Sequence, residues 1–376
     1  MNIEDLREQL VAQGQEISAP AIAAALRKHG ELVSEASVRE AVEALKRESQ
    51  GAGPLDVYLA DPLVTDVLVN GPSEVYIDRG SGLEKVDFRF SSDQEVRKLA
   101  VRLAAAVGRR LDEGSPFVDC RLASGVRVHA ILGSLTDVGT CISLRAPRRV
   151  RLTVDDWVAS GSMSEVAAQV LRAVIAAKRA FLVSGGTGTG KTTLLGALLA
   201  EVPDEERLVV VEDSRELDPG HPHCVRMESR PANVEGVGAI PMTLLVKQAL
   251  RMRPDRLVVG EVRGPELVDM LLALNTGHEG GCGTVHANSA SDVPARLEAL
   301  GGLAGLGRVA LHSQMASALD ILVHLRREAD GRRRVAEINT ICVGDDGICA
   351  SLPALEFTAF GTVLQGEGFA RLEAML

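Results

Sequence analysis

The sequence predicts an α/β chain: a domain built on a parallel sheet, preceded by a small α+β domain and a short helical N-terminal region. Three observations carry this. From about Ser164 onward, helical stretches alternate with the short apolar runs FLVSG, RLVVVE, RLVVG, GTVHA and ILVHL, the pattern of a parallel sheet with helices on both faces. Between Gly51 and residue 147, short β-rich runs are separated by turn signals and interrupted by one helical stretch. Before Gly51 the spacing is helical.

In residues 1–50, AIAAALRKHG ends at Gly30, a helix stop, and SVREAVEALKRE restarts with Ser37 as its cap. The α+β domain is expected over 51–147. TDVLVNGPSEVYIDRGSGLEKVDFRF reads as a meander of strands joined at NGP and DRGSG. SSDQEVRKLAVRLAAAVGRRL then switches to helical spacing, with a capping box from Ser92 and Glu95 and with Val96, Leu99, Leu103 and Val107 on one face. RVHAILGS and CISLRAP return to strands. PRRVRLTVDDW opens with proline and charge, so 148–163 is expected to be a linker, with the parallel-sheet domain over 164–376. Near its end, VHLRREADGRRRVAEI predicts a hairpin around Asp330-Gly331. There is no internal repeat and no low-complexity tract.

With 376 residues, 46% of them hydrophobic and 24% charged, the chain has ample material for a core. A net charge of −10 and an aromatic content of 3% speak against a nucleic-acid binder or a base-stacking surface. The six cysteines show no CxxC pair and read as reduced thiols of a cytoplasmic protein. The start, MNIEDLREQL, is charged and polar with no signal-peptide pattern visible, and no apolar run reaches the roughly 18 residues of a spanning helix. Action at a membrane is expected only through docking.

The sharpest motif is Gly185, four residues, then Gly190, Lys191 and Thr192, which fits GxxxxGK[ST] between the strand AFLV and the helix KTTLLGALLA. Glycines let backbone N–H groups turn toward phosphate oxygens, and the positive end of the helix adds to the attraction. Lys191 would bridge the β- and γ-phosphates, and Thr192 would offer its hydroxyl to Mg²⁺. The candidate nucleotide-binding residues are therefore Gly185, Gly186, Thr187, Gly188, Thr189, Gly190, Lys191, Thr192 and Thr193. The base-reading NKxD of GTPases is absent, as is the LSGGQ signature of transport cassettes.

RLVVVEDSREL ends a strand at Glu212-Asp213, and DRLVVGEVRG ends another at Gly260-Glu261. Parallel sheets bind ligands at the carboxyl ends of their strands, so these acids should face the nucleotide. A solvated strand-end charge is the bland alternative. Two such acids in order after a phosphate loop favour a site, with one carboxylate orienting or deprotonating water. TGHEGGCGTVHANS carries His278 and His286 around Cys282. A zinc site lacks further ligands at suitable spacing, whereas a histidine at a strand end near the γ-phosphate can report nucleotide state.

In that order, GGTGTGKTT, VEDSREL, LRMRPDRLVVGEVRG and GTVHANS resemble the Walker A, Asp box, Walker B and His box of the type II/type IV secretion ATPase superfamily, and are most similar to its tight-adherence (Flp-type) pilus assembly branch and the related conjugation ATPases. TDVLVNGPSEVYIDR and GSPFVDCRLASGVRVHAILGSLTDVGTCISLR resemble that branch's N-terminal domain, so the similarity spans roughly 55–345. The resemblance implies a RecA-like ATPase domain behind a PAS-like domain, ATP and Mg²⁺ as ligands, and a homo-hexameric cytoplasmic motor docked on an inner-membrane platform of a pilus or secretion system, with no direct nucleic-acid binding. It implies Glu261 as the catalytic glutamate, Glu212 and Asp213 positioning Mg²⁺ partly through water, and His286 coupling nucleotide to motion. Arg127 and Arg145 fall where the family places arginines that reach the phosphates, with Arg121 a weaker candidate and an ordinary salt-bridged strand arginine the alternative. Gly260 stands where other phosphate-loop enzymes often carry a magnesium-holding aspartate, and the family shares that glycine. Against the motor stand two other readings: a nucleotide-binding switch without sustained turnover, disfavoured by intact Lys191, Thr192 and Glu261, and a nucleic-acid translocase, disfavoured by acidity and few aromatics.

Overall fold

The structure, a computed structural model, describes residues 51–80, 82–147, 151–232, 236–328, 330–358 and 361–376, together with 20, 22–24 and 38. The helical region expected over 1–50 thus lies almost wholly outside the described residues. The chain divides into two units, Met1–Arg149 and Val150–Leu376.

In the first unit, strands β1 (Asp66–Asn70), β2 (Glu74–Asp78), β3 (Leu83–Lys85), β4 (Phe117–Arg121), β5 (Arg127–Ile131) and β6 (Cys141–Arg145) form one sheet in the order β3-β2-β1-β6-β5-β4. Every pairing is antiparallel. Alternation sets the two faces. Val67, Val69, Val75, Ile77, Val128, Ala130, Ile142 and Leu144 are buried in the same core as Val96, Leu99 and Leu103 of the helix Asp93–Ala105. That helix starts as expected, but its cap differs. Ser92 makes no side-chain cap bond, and the Glu95 carboxylate reaches one residue further back, accepting from both the N–H and the hydroxyl of Ser91 at 2.8 Å.

The second unit is a nine-stranded sheet of β7 (Phe181–Gly185), β8 (Leu208–Glu212), β9 (Cys224–Glu228), β10 (Arg256–Val262), β11 (Cys282–His286), β12 (Ile321–Arg327), β13 (Arg333–Val343), β14 (Cys349–Phe357) and β15 (Val363–Gln365). The order is β15-β14-β13-β12-β7-β11-β10-β8-β9. From β12 to β9 all neighbours are parallel. One core holds Phe181, Val183, Val210 and Val323 with the helices Glu165–Ala176 and Lys191–Leu199. A second core holds Leu182, Val209, Val259 and Leu322 with the helices Met242–Ala249, Glu266–Leu274, Val293–Leu303 and Arg308–Ala318. Successive strand residues thus point into different cores, which is why these strands are continuously apolar.

Two features depart from the sequence reading. The expected hairpin at Asp330-Gly331 is present as β12 and β13, and β13 continues into antiparallel β14 and β15, which were not foreseen. The stretch 154–163, expected to be linker, belongs to the second unit. Thr153 and Asp156 form a capping box for the helix Val154–Ala159, and Trp157 and Met163 are buried in the first of the two cores. The apolar Val154, Trp157 and Met163 outweigh the charged flank that suggested a connector. Among the described residues, no helix is long and apolar enough to cross a membrane.

Candidate functional site

Strand β7 is buried at all five positions and delivers the chain into the phosphate loop. The loop needs glycine where its backbone turns: φ is 153° at Gly185, 72° at Gly188 and 96° at Gly190. A Cβ on Gly185 would lie 2.6 Å from the Leu325 carbonyl oxygen and 2.7 Å from Thr189 Oγ1. Gly190 is the left-handed N-cap of the Lys191–Leu199 helix. Thr189 Oγ1 donates to the Gly186 carbonyl at 3.0 Å and braces the loop from inside. Thr192 and Thr193 are half-buried in the first helical turn, and the buried Thr193 hydroxyl finds no hydrogen-bond partner among the described residues.

The Lys191 side chain is buried, and its Nζ donates to the carbonyl oxygens of Gly185 (3.0 Å) and Gly186 (2.8 Å). Burial lowers its pKa, with the Glu261 charge opposing. A buried lysine at a helix N-terminus, among inward-turned glycines, is suited to a polyphosphate anion.

Register places the acids and the histidine beside this loop. His286, the last residue of β11, pairs with Gly185, while Glu261 lies near the end of β10, the next strand over. Lys191 Nζ is 3.5 Å from His286 Nδ1, and His286 Nε2 is 2.9 Å from Glu261 Oε1. Glu261 Oε2 accepts from Arg263 Nη2 at 2.5 Å, and Arg263 Nη1 reaches Asp213 Oδ2 at 2.9 Å. Lys191, His286, Glu261, Arg263 and Asp213 therefore form one continuous chain of charged and polar groups. Arg263 was not singled out in the sequence, although it stands two residues after Glu261 at a strand end, the spacing that puts both side chains on one side.

Burial pushes the Glu261 carboxyl up, but the hydrogen bond from Arg263 and the charges of Arg263, His286 and Lys191 outweigh it and hold the group below the usual carboxylate range. His286 is lowered, first by burial and then by the Lys191 charge. The site at neutral pH thus presents an ionised Glu261 beside a neutral imidazole.

Glu212 and Asp213 are adjacent but differently employed. Asp213 faces Arg263. Glu212 is turned inward at 3% exposure, where its Oε1 accepts from the N–H groups of Glu216 (3.0 Å) and Leu217 (2.9 Å). Its buried Oε2 has no hydrogen-bond partner among the described residues. Burial, only partly opposed by those two N–H bonds, pushes its pKa up to about 7. For Mg²⁺, Thr192 in the first turn of the Lys191–Leu199 helix and Asp213 just after β8 are half-buried oxygen donors, the donor type that magnesium takes together with phosphate and water. Among the described residues, no cluster of three or more His, Cys, Asp or Glu side chains makes a cage. Cys282 starts β11 fully buried, its thiol pushed up to about 12 by burial, so its part is packing.

In the first unit, Asp66 pairs with Arg145, Arg145 with Arg127, and Arg127 with Arg121, forming a row across one face of the sheet. Arg127 bridges Asp119 through two bonds of 3.1 and 2.7 Å, and Arg145 bridges Asp66 at 3.2 Å. Arg121 donates to the Gly125 carbonyl at 3.2 Å. Like charges directly opposite one another across strands are unfavourable. Asp66 and Asp119 relieve that repulsion, and the three arginines and two aspartates leave the row with one net positive charge.

Residues 48–350 match the family model described as type II/IV secretion system protein. A Mycobacterium tuberculosis protein, described provisionally as a conjugal transfer protein, is 50% identical over 313 residues, which cover 82% of this chain and 89% of that one. The conjugal transfer protein TrbB of Rhizobium radiobacter is 32% identical over 285 residues, covering 74% of this chain and 84% of the relative. Among solved structures, the pilus retraction motor PilT with bound ADP has a TM-score of 0.54 at 17% identity, covering 85% of this chain and 84% of that one, a likeness of fold.

Proposed function

Because the chain belongs to the type II/IV secretion system protein family and is a P-loop ATPase of that family, we propose that it is a cytoplasmic, ring-forming motor that spends ATP to drive assembly or export through an inner-membrane platform. The observation that carries this is the run from Lys191 through His286 to Glu261, at 3.5 and 2.9 Å, at the carboxyl end of a parallel sheet. A phosphate-gripping lysine and an ionised carboxylate joined through one imidazole form an arrangement suited to hydrolysis.

In this reading the glycines and the helix N-terminus hold the phosphates, and Lys191 turns from its own loop carbonyls to the β- and γ-oxygens. Glu261 orients the attacking water and takes its proton. His286 lies between Lys191 and Glu261, so a change at either is felt at the other. Thr192, Glu212 and Asp213 would hold Mg²⁺, partly through water, and the ion would neutralise phosphate charge. Arg127 and Arg145 are assigned to meet phosphate charge, a role worth roughly 10³–10⁵ in rate for such arginines. Six copies in a ring, each closing on ATP and reopening after release, would move the platform; ATP must contact the closed form better than the open one.

The test is steady-state phosphate release by the purified full chain. Lys191→Ala is expected to lose nucleotide binding, and Glu261→Gln to bind normally and release no phosphate. Near-normal turnover in Glu261→Gln removes it from the catalytic role, and a wild type that binds but does not turn over returns the protein to the class of switches. The 50% identical relative favours a second reading, in which the exported cargo is a conjugated strand. Deletion in the native host separates the two: loss of surface fibres supports pilus assembly, and loss of DNA transfer alone supports conjugation.

A further inference from the structure

We propose that Arg333 is a nucleotide-binding residue that meets the α-phosphate, an inference that deepens the ATPase reading above and rests on it. The hairpin of β12 and β13 carries Arg326, Arg327, Arg332, Arg333 and Arg334. Arg326 is matched by Glu337 (3.2 Å), Arg332 by Asp330 (2.7 Å) and Arg334 by Glu328 (2.5 Å). Arg333 has no such carboxylate among the described residues. It stands opposite Arg327 instead, and like charges directly across a strand pair repel. The residue is half-buried, and its Nε is buried with no acceptor among the described residues. Buried donors are rarely left unpaired, because an orphaned one costs stability.

This arginine lies against the phosphate loop. Its Cδ, the carbon bonded to that Nε, is 3.6 Å from where a Cβ of Gly190 would be. Trp157 packs on the same spot, with Cη2 at 3.3 Å and Cζ2 at 3.7 Å. Trp157 is 4% exposed, and its Nε1, two bonds from Cζ2, is likewise buried without an acceptor among the described residues. Two orphaned N–H groups thus belong to the two side chains that flank Gly190, the residue that opens the Lys191–Leu199 helix. Phosphate oxygens are acceptors of the right charge, and a guanidinium fork matches them.

The order of the strands selects the phosphate. Gly185 has His286 of β11 on one side and Leu325 of β12 on the other. Lys191 Nζ, His286 and Glu261 meet on the β11 side, where the β- and γ-phosphates are gripped and cut. Arg333 comes from the β12 side, opposite Arg327, two residues past Leu325. A triphosphate with its γ end at Glu261, laid over the helix N-terminus, turns its α end toward Arg333.

The experiment compares full-length wild type with Arg333→Gln, Arg333→Ala and Arg333→Lys. It measures the Kd of Mg·ADP, the displacement of a fluorescent ADP analogue by inorganic pyrophosphate, and KM and kcat for Mg·ATP. A charged hydrogen bond to a ligand is worth on the order of 10- to 100-fold in affinity. Arg333→Gln is expected to raise the Kd of ADP and the KM of ATP together on that scale, with kcat held within about threefold, because the α-phosphate is held alike before and during reaction. Pyrophosphate, which lacks the α position, is expected to bind the variant as it binds wild type. Arg333→Lys, which keeps the charge without the fork, recovers part of the loss. Wild-type affinity for ADP in Arg333→Gln, a parallel loss for pyrophosphate, or a fall in kcat without a fall in affinity overturns the proposal. If Arg333→Gln does not fold, Arg333→Ala is read against the same outcomes. A wild type that binds ADP but releases no phosphate overturns instead the ATPase reading beneath it, and the ADP comparison still decides the part played by Arg333.

Discussion

At Gly260 a Cβ would stand 2.4 Å from Cγ of Glu212 and 3.0 Å from its Oε1. The glycine in Walker B thus makes room for the acid of the Asp box, and the two positions are one packing unit. Glu212, folded under this glycine, links site chemistry to stability. Its folded pKa, about 7, lies above the ordinary 4.5. A raised carboxyl pKa means that the folded state prefers the protonated form. Its contribution is complete below about 4.5 and is lost as pH rises through 7, on the order of 3 kcal/mol. Glu212→Gln, always neutral, is expected to melt higher than wild type at pH 8 and close to it at pH 5. Equal melting temperatures of the two proteins at both pH values would refute this. Arg263 acts on the neighbouring carboxylate in the opposite direction. Removing it as Arg263→Ala takes away the main group holding Glu261 low, so the acid limb of the kcat–pH profile should move to higher pH. An unmoved limb in a variant with measurable turnover would show that Arg263 does not tune the base.

At the scale of elements, the helix Val154–Ala159 matters more than its length. The chain has one tryptophan, and Trp157 Cη2 lies 3.3 Å from where a Cβ of Gly190 would be. The turn after this helix is pinned by Val335, whose N–H donates to the Ser162 carbonyl at 2.9 Å. The protein's single indole therefore lies against the phosphate loop, and ATP is expected to change its intrinsic fluorescence, with no change in Lys191→Ala. A signal indifferent to nucleotide in wild type would refute that placement. This helix also shows where sequence reading stops. The continuously apolar strands, the glycine loop and the acids at strand ends were legible because each follows a local rule of period or turn chemistry. Trp157 was not, because a short helix that carries Asp155 and Asp156 behind Arg149 and Arg151 looks like a connector until its packing against the helices Glu165–Ala176 and Lys191–Leu199 is known. β14 was missed because Pro353 interrupts it. Proline removes a ladder donor, and the register with β13 shifts beside Asn339, which pairs with Pro353. Arg263 was visible in the Walker B run but carried no signal of its own, since its bond to Asp213 joins residues 50 apart in sequence.

At the scale of the molecule, the ring reading makes a prediction that no single chain can satisfy. If turnover passes between copies, Glu261→Gln subunits doped into wild type should depress hydrolysis more steeply than their mole fraction. A strictly proportional decline would mean that each copy works alone. The arrangement of the sheet carries a further consequence, for synthesis. The loop-bearing strand β7 lies between β11 and β12, and β12 is Ile321–Arg327. Its flanking strands are thus translated long after it, and a ribosome must deliver nearly the whole polypeptide before the Gly185 turn is clamped on its Leu325 side. Such non-local pairing forms late. A nascent chain emerging beside its finished siblings would hold no nucleotide until its own β11 and β12 arrive, so products terminated before them would be born inert rather than as uncontrolled hydrolases.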